Sequence, residues 1–221
     1  MLKRRPVSSV SSAALVMIAL SAAVIIILLA IASLTVFRAA RIEWRMQQTH
    51  FFFLGAGFLL LETKSITDCS LYFGTTWFVT MLVIAGILLM VLGANLVAMH
   101  VLRSFRKYFY LPLIGSMVLL YFTPSDFVLG LSFLGRLAWV LIMVPLPIFF
   151  AGLIFSTTFR ESTSASSSFG ANLIGATIGG FAEYLSMTFG LQKLSLLVIA
   201  AYLASLGVMV LIKRDGEGSR I

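Results

Sequence analysis

The sequence predicts an all-α, polytopic integral membrane protein with about seven transmembrane helices. Three observations predict it. Of 221 residues, 60% are hydrophobic and 11% are charged, against roughly 45–50% and 25% in soluble domains. The apolar residues fall in runs of about 20, the length an α-helix needs to cross a hydrocarbon core of roughly 30 Å. The basic residues cluster at the ends of those runs, which is how topology is set in a membrane.

Taken in order, residues 1–12 form a polar, basic N-terminal segment, 13–212 a single helical transmembrane domain, and 213–221 a polar tail. Lys3, Arg4 and Arg5 precede the first apolar run, 13–37, in the manner of a secretory signal. A signal h-region is about 7–15 residues long, so this longer run reads as the first span. A linker with Arg38, Arg41 and Arg45 follows. The second run, 51–73, is apolar for half its length and then reads Glu62-Thr63-Lys64-Ser65-Ile66-Thr67-Asp68. Gly74-Thr75-Thr76 is a turn. The third run, 77–101, is closed by Arg103, Arg106 and Lys107.

The fourth run, 108–122, ends at the turn signal Thr123-Pro124-Ser125-Asp126. The fifth begins at Leu131 or Leu137 and ends at Phe155; Pro145 and Pro147 inside it predict a kink. A Ser/Thr-rich loop, 156–168, leads to the sixth run, 169–188, and the seventh, 191–212. Seven crossings place Lys3, Arg4, Arg5, Arg136 and Lys193 on one side. The other side then holds Arg38, Arg41, Arg45, Arg103, Arg106, Lys107, Arg160, Lys213, Arg214 and Arg220. The more basic side faces the cytoplasm, so the C-terminus is expected there and the N-terminus outside.

Charge placement also disposes of other classes. The net charge is +8, yet no basic stretch is interleaved with aromatics for stacking bases, so no nucleic-acid partner is expected. Cys69 is the single cysteine, which excludes an intrachain disulfide and a Cys-rich metal site. His50 and His100 lack metal-site spacing, and no nucleophile elbow or phosphate loop occurs. Gly55-Ala56-Gly57 lacks the context of a dinucleotide fingerprint. Neither catalytic residues, nor a metal, nor a cofactor are expected, and the chain reads as no enzyme. Its required partner is the lipid bilayer.

Two polar features remain. In a helix over 51–73, Glu62 lies at mid-span, where a charge costs about 2.5–3.5 kcal/mol or more. Lys64 points to nearly the opposite side and cannot reach it, whereas Lys64 and Asp68 are four apart and can pair. Glu62 then needs a proton, a ligand, or a basic residue such as Arg136 or Lys193. Either the helix ends near Leu61 and the polar residues line a solvated break, or they form a buried site within the span. In the sixth run, Ala171, Gly175, Gly179 and Glu183 recur every four residues on one face. Small residues there let a second helix approach closely, and Asn172, offset by about 100°, can bond a neighbour. The candidate ligand-binding residues are Glu62, Thr63, Lys64, Asp68, Asn172 and Glu183; the candidate packing residues are Ala171, Gly175 and Gly179.

The stretch FFFLGAGFLLLETKSITDCSLYFGTTW (51–77) resembles a motif in the membrane region of bacterial spermidine-synthase-like proteins. PIFFAGLIFSTTFR (147–160) and FGANLIGATIGGFAEYLSM (169–187) resemble further blocks, in the same order. The resemblance implies a multi-pass protein of the bacterial inner membrane in which Glu62, Thr63, Lys64 and Ser65 belong to a shared motif. In larger relatives that region accompanies a soluble aminopropyltransferase-like domain, and nothing in this sequence resembles that domain. The expected function is to bind or pass a small cationic solute, with Glu62, Asp68 and Glu183 facing it and Lys64 as counter-ion, or to anchor a soluble aminopropyltransferase-like partner. A structural or assembly subunit among other membrane subunits, with no ligand of its own, is the alternative.

Overall fold

The computed structural model describes residues 46–100, 103–185 and 190–218, all within the compact unit Trp44–Ile221. The N-terminal segment 1–12, the first apolar run, Arg38, Arg41, Arg45, the end of the sixth run at 186–188 and Arg220 lie outside the described residues. Among the described residues the regular elements are helical: α1 (Met46–Phe73), α2 (Trp77–Ala98), a 3-10 turn (Arg103–Phe109) leading into α3 (Tyr110–Phe122), α4 (Ser125–Gly130), α5 (Phe133–Ile142), α6 (Pro145–Phe159), α7 (Ala165–Ala182) and α8 (Leu191–Gly218).

Three stretches, Trp77–Ala98, Phe133–Phe159 and Gln192–Ile212, are long and apolar enough to cross a membrane. The chain is therefore an all-α protein with three candidate spans of that kind. Lys107–Phe122 is apolar but shorter, and α1 is 28 residues long but carries Glu62, Lys64 and Asp68. The outer surface fits the same reading. Phe78, Leu82, Leu88, Leu89, Leu92 and Leu96 of α2 are all exposed. A contiguous apolar face of that extent is stable against lipid and a liability in water.

Local chemistry sets the element boundaries. Gly74 has φ +92°, a conformation that glycine adopts without steric cost, and it turns the chain from α1 into α2. The Thr76 hydroxyl then caps α2 by accepting from the Val79 N–H at 3.3 Å. The proline-induced irregularity expected in the fifth run falls at Met143 and Val144, whose backbone stays right-handed helical within the continuous stretch Phe133–Phe159. Met143 and Val144 form a turn, and Pro145 starts α6, where its missing N–H costs no hydrogen bond.

Helix directions follow from which residues meet. Phe52 meets Gly175 and Ala56 meets Gly179; both numbers rise together, so α1 and α7 run parallel. Gly57 meets Tyr202 and His50 meets Ser205, so α8 runs antiparallel to α1. Gly93 meets Phe149 and Gly152 meets Ala94, while Asn95 bonds Ser156, so α2 and α6 run parallel. The core lies where α1 meets these neighbours. It includes Phe51, Leu54, Leu60, Ile148, Ala171 and Tyr202, all buried. The Phe51 ring stands edge-on to Phe155 and Phe159 at 5.7 and 6.0 Å.

Candidate functional site

The site is built on α1, which is clamped between α7 and α8. Gly55 and Gly57 are about 200° apart around the helix, and each admits a different neighbour. A Cβ at Gly55 would stand 2.0 Å from the Asn172 carbonyl oxygen of α7, and one at Gly57 would stand 3.0 Å from the Tyr202 ring of α8. On the α7 side, Gly175 and Gly179 lie against the Phe52 and Ala56 carbonyls, and Ala171 is fully buried. Asn172 donates from Nδ2 to the Phe51 carbonyl at 3.1 Å. Small residues thus bring two backbones together in van der Waals contact.

α1 does not end near Leu61; it continues to Phe73. Its hydroxyls explain why a polar stretch stays helical. Thr63 donates to the Leu60 carbonyl at 3.1 Å, Ser65 to Leu61 at 2.7 Å and Thr67 to Thr63 at 2.9 Å. Each hydroxyl is satisfied by its own helix and makes no demand on neighbours.

Lys64 and Asp68 pair one turn apart on α1. Their side chains are 13% and 19% exposed, and they line a pocket of about 380 Å³. Tyr72 continues the α1 wall, Tyr121 comes from α3, Trp139 from α5 and Gln192 from the start of α8. Ser195 also lines the pocket; it is buried, and its hydroxyl has no hydrogen-bond partner among the described residues. A buried hydroxyl left unpaired costs about 1–3 kcal/mol; the Ser195 oxygen is enclosed by protein among the described residues. The pocket sits at one end of the bundle, bounded by Thr123, Pro124 and Ser125.

The six ligand candidates therefore separate. Lys64 and Asp68 share the pocket, whereas Glu62, Thr63, Asn172 and Glu183 are not among its walls. Glu62 is half-buried and lies two turns beyond Gly55 on the same face of α1. Glu183 caps the C-terminal end of α7. The α1–α7 register places it level with Leu60. Of Glu62, Asp68 and Glu183, the three acidic groups expected to face a solute, Asp68 alone lines this pocket.

Arg136, offered above as a partner for Glu62, is engaged elsewhere. Its guanidinium donates to the Tyr72 carbonyl at 3.1 Å and to the Leu129 carbonyl at 2.6 Å. Those are orphan carbonyls at the C-terminal ends of α1 and α4, where a cation is favoured by the helix dipole. Arg160 does the same at the other end of the bundle, donating to the Ala98 carbonyl at 3.0 Å. Among the described residues, no group of three or more His, Cys, Asp and Glu side chains could hold a metal ion.

One buried polar cluster escaped the sequence reading. The Tyr110 hydroxyl lies 2.9 Å from Ser205 Oγ, which lies 2.9 Å from His50 Nδ1. The three side chains belong to α3, α8 and α1, and all are buried. Ser205 is a lone polar residue in an apolar run, which signals an internal partner without naming it; His50 and Tyr110 follow polar stretches at the helix starts and carry no such signal.

Comparison with family models, with curated proteins and with solved structures finds no match.

Proposed function

We propose that this chain is a seven-span membrane protein that binds a small amine-bearing solute in the Lys64–Asp68 pocket. The observation that carries the proposal is the pocket's lining. Asp68 supplies a carboxylate, and Tyr72, Tyr121 and Trp139 supply aromatic rings, whose faces attract cations. Lys64 keeps Asp68 neutralised until an amine takes its place, so the pocket never holds a bare carboxylate.

The helix directions support seven crossings: α1, α3 and α7 point one way, and α2, α6 and α8 the other. With the first apolar run as a further span, the C-terminus falls on the cytoplasmic side. The resemblance to the membrane region of spermidine-synthase-like proteins favours a polyamine as the solute and a soluble aminopropyltransferase-like enzyme as a partner.

Binding is tested on the purified full chain in detergent, titrated with spermidine and followed by thermal stability and calorimetry. We expect Asp68→Asn to weaken binding by about tenfold or more, equivalent to about 1.4 kcal/mol. Lys64→Met should tighten it by removing the competing cation, and Glu62→Gln, outside the pocket, should leave it unchanged. Binding that ignores Asp68 and Lys64 would overturn the assignment.

A further inference from the structure

A second cavity, also of about 380 Å³, lies on another side of α1. α2 walls it with Val83, Gly86 and Ile87, and the stretch through α5 and α6 walls it with Leu137 and Ile148. Ser65 and Cys69, one turn apart on α1, form its floor. Val144 is buried and stands between this cavity and the Lys64–Asp68 pocket, so the two are separate.

The cavity is a wedge. Beyond its inner end α2 and α6 touch, and a Cβ at Gly152 would stand 3.1 Å from the Ala94 Cβ. Toward Thr76 and Phe133 the cavity separates α2 from α5. The helical rise from Thr76 to Ile87 is about 16 Å, half of a hydrocarbon core of roughly 30 Å. Trp77, at the start of α2, is 76% exposed, as aromatic residues are where a span meets the membrane interface. The wedge therefore descends from the interface to the mid-plane, the depth of one leaflet. Phe78, Leu82 and Leu141 line it and are also exposed on the outer surface, so it opens sideways onto the apolar face of α2.

The wedge offers a guest hydrocarbon and little else. The Ser65 hydroxyl is already bonded to the Leu61 carbonyl at 2.7 Å, and the Thr76 hydroxyl caps α2. No basic or acidic residue is among its walls. Gly86 leaves the space open from the α2 side, because a Cβ there would meet nothing within 4 Å. Atoms that line an unfilled gap lose their van der Waals partners on that side, and the molecule at hand on the open side is lipid.

We propose that the wedge holds one acyl chain of a bilayer phospholipid, whose headgroup stays at the interface beside Trp77. The site is independent of the amine pocket. Its volume is near the low end of the roughly 300–1,000 Å³ of small-molecule sites, which suits one chain and not a whole lipid. The chain enters at the depth where bilayer chains already lie, so neither partner changes its level in the membrane. A free fatty acid would bring a carboxylate to a mouth with no basic wall, whereas a phospholipid keeps its charges at the interface. The chain takes the place of side chains that α2 and α5 do not supply, and it braces the two helices where they part.

The test uses the full chain purified in detergent, with bound lipid counted by native mass spectrometry during graded addition and removal of dioleoyl phosphatidylcholine. One lipid per chain should outlast the others. Gly86→Leu puts a side chain into the open space, so it should stay folded and weaken that lipid at least about tenfold. Gly207→Leu, at an exposed position of α8 outside the wedge, should leave it unchanged. On the unmodified protein, which needs no variant to fold, affinity for phosphatidylcholines from hexanoyl upward should climb and then level off once the chain fills the wedge. Oleate, the same hydrocarbon with a carboxylate head, should bind at least about tenfold more weakly. Asp68→Asn should leave lipid retention unchanged, so this site and the amine pocket stand or fall separately. Retention that ignores both Gly86→Leu and chain length overturns the proposal, and so does oleate displacing the phospholipid.

Discussion

Gly175 has no room for a side chain: the Phe52 carbonyl oxygen lies 1.9 Å from where its Cβ would stand. The neighbour is backbone, so nothing can swing aside, and a methyl group there must push α7 off α1. Gly175→Ala should destabilise the protein by about 1–3 kcal/mol, the usual cost of overpacking. Gly207→Ala is the control, since nothing lies within 4 Å of its Cβ position, and alanine favours a helix over glycine by about 1 kcal/mol. Thermal unfolding in detergent should separate the two in opposite directions. Equal shifts would mean that α1 and α7 do not touch as described.

Ser205 stands between Tyr110 and His50 in the buried cluster, so removing its hydroxyl takes a partner from both. We expect Ser205→Ala to cost about 1–3 kcal/mol. Tyr110→Phe should cost less when added to Ser205→Ala than when made alone. A double-mutant cycle should show coupling of about 0.5–3 kcal/mol; additive effects would break the chain of contacts.

The Lys64–Asp68 pair predicts an asymmetric mutant series. Lys64→Met leaves a carboxylate in a largely enclosed site and should destabilise by up to about 3 kcal/mol, less than a fully buried pair because both groups reach the pocket. Lys64→Met combined with Asp68→Leu should regain most of that loss. A double variant no better than Lys64→Met would remove the pair from any account of stability.

Topology is open to direct measurement. Arg160 and Arg136 cap helix ends at opposite ends of the bundle, on the more and the less basic side respectively. Reporter fusions at Ile221 and after Pro124 should report opposite sides, with Ile221 in the cytoplasm. An external Ile221 would overturn the orientation.

Much of the architecture was legible because a bilayer imposes a length on every apolar run. The turn at Gly74 and the stop at Pro124 announce themselves in the residues, but the Ser/Thr loop expected over 156–168 is shorter, because α6 runs to Phe159 and α7 starts at Ala165. The Lys64–Asp68 pair was legible too, because four residues along a helix fix proximity without any tertiary knowledge. The interruption before Pro145 was legible as well, because a proline inside a helical run removes one backbone donor whatever its neighbours are. What stayed hidden depends on helix order in space. His50 and Ser205 are 155 residues apart, and neither position indicates which helix packs beside it. Arg136 was offered to Glu62 because both are charged, but it bonds helix-end carbonyls, which carry no side-chain signature. Ser195 looked like one serine among many until the cavity beside it was seen.

The parallel pairing of α1 with α7 sets a schedule for biosynthesis. Asn172 follows Phe51 by 121 residues, and ribosomes add roughly 5–20 residues per second, so α1 waits on the order of ten seconds for its glycine-matched partner. Until then the backbone at Gly55 lacks the α7 neighbour it meets in the finished protein, and a nascent chain stalled before Gly175 holds neither of the two glycines that lie against the Phe52 and Ala56 carbonyls.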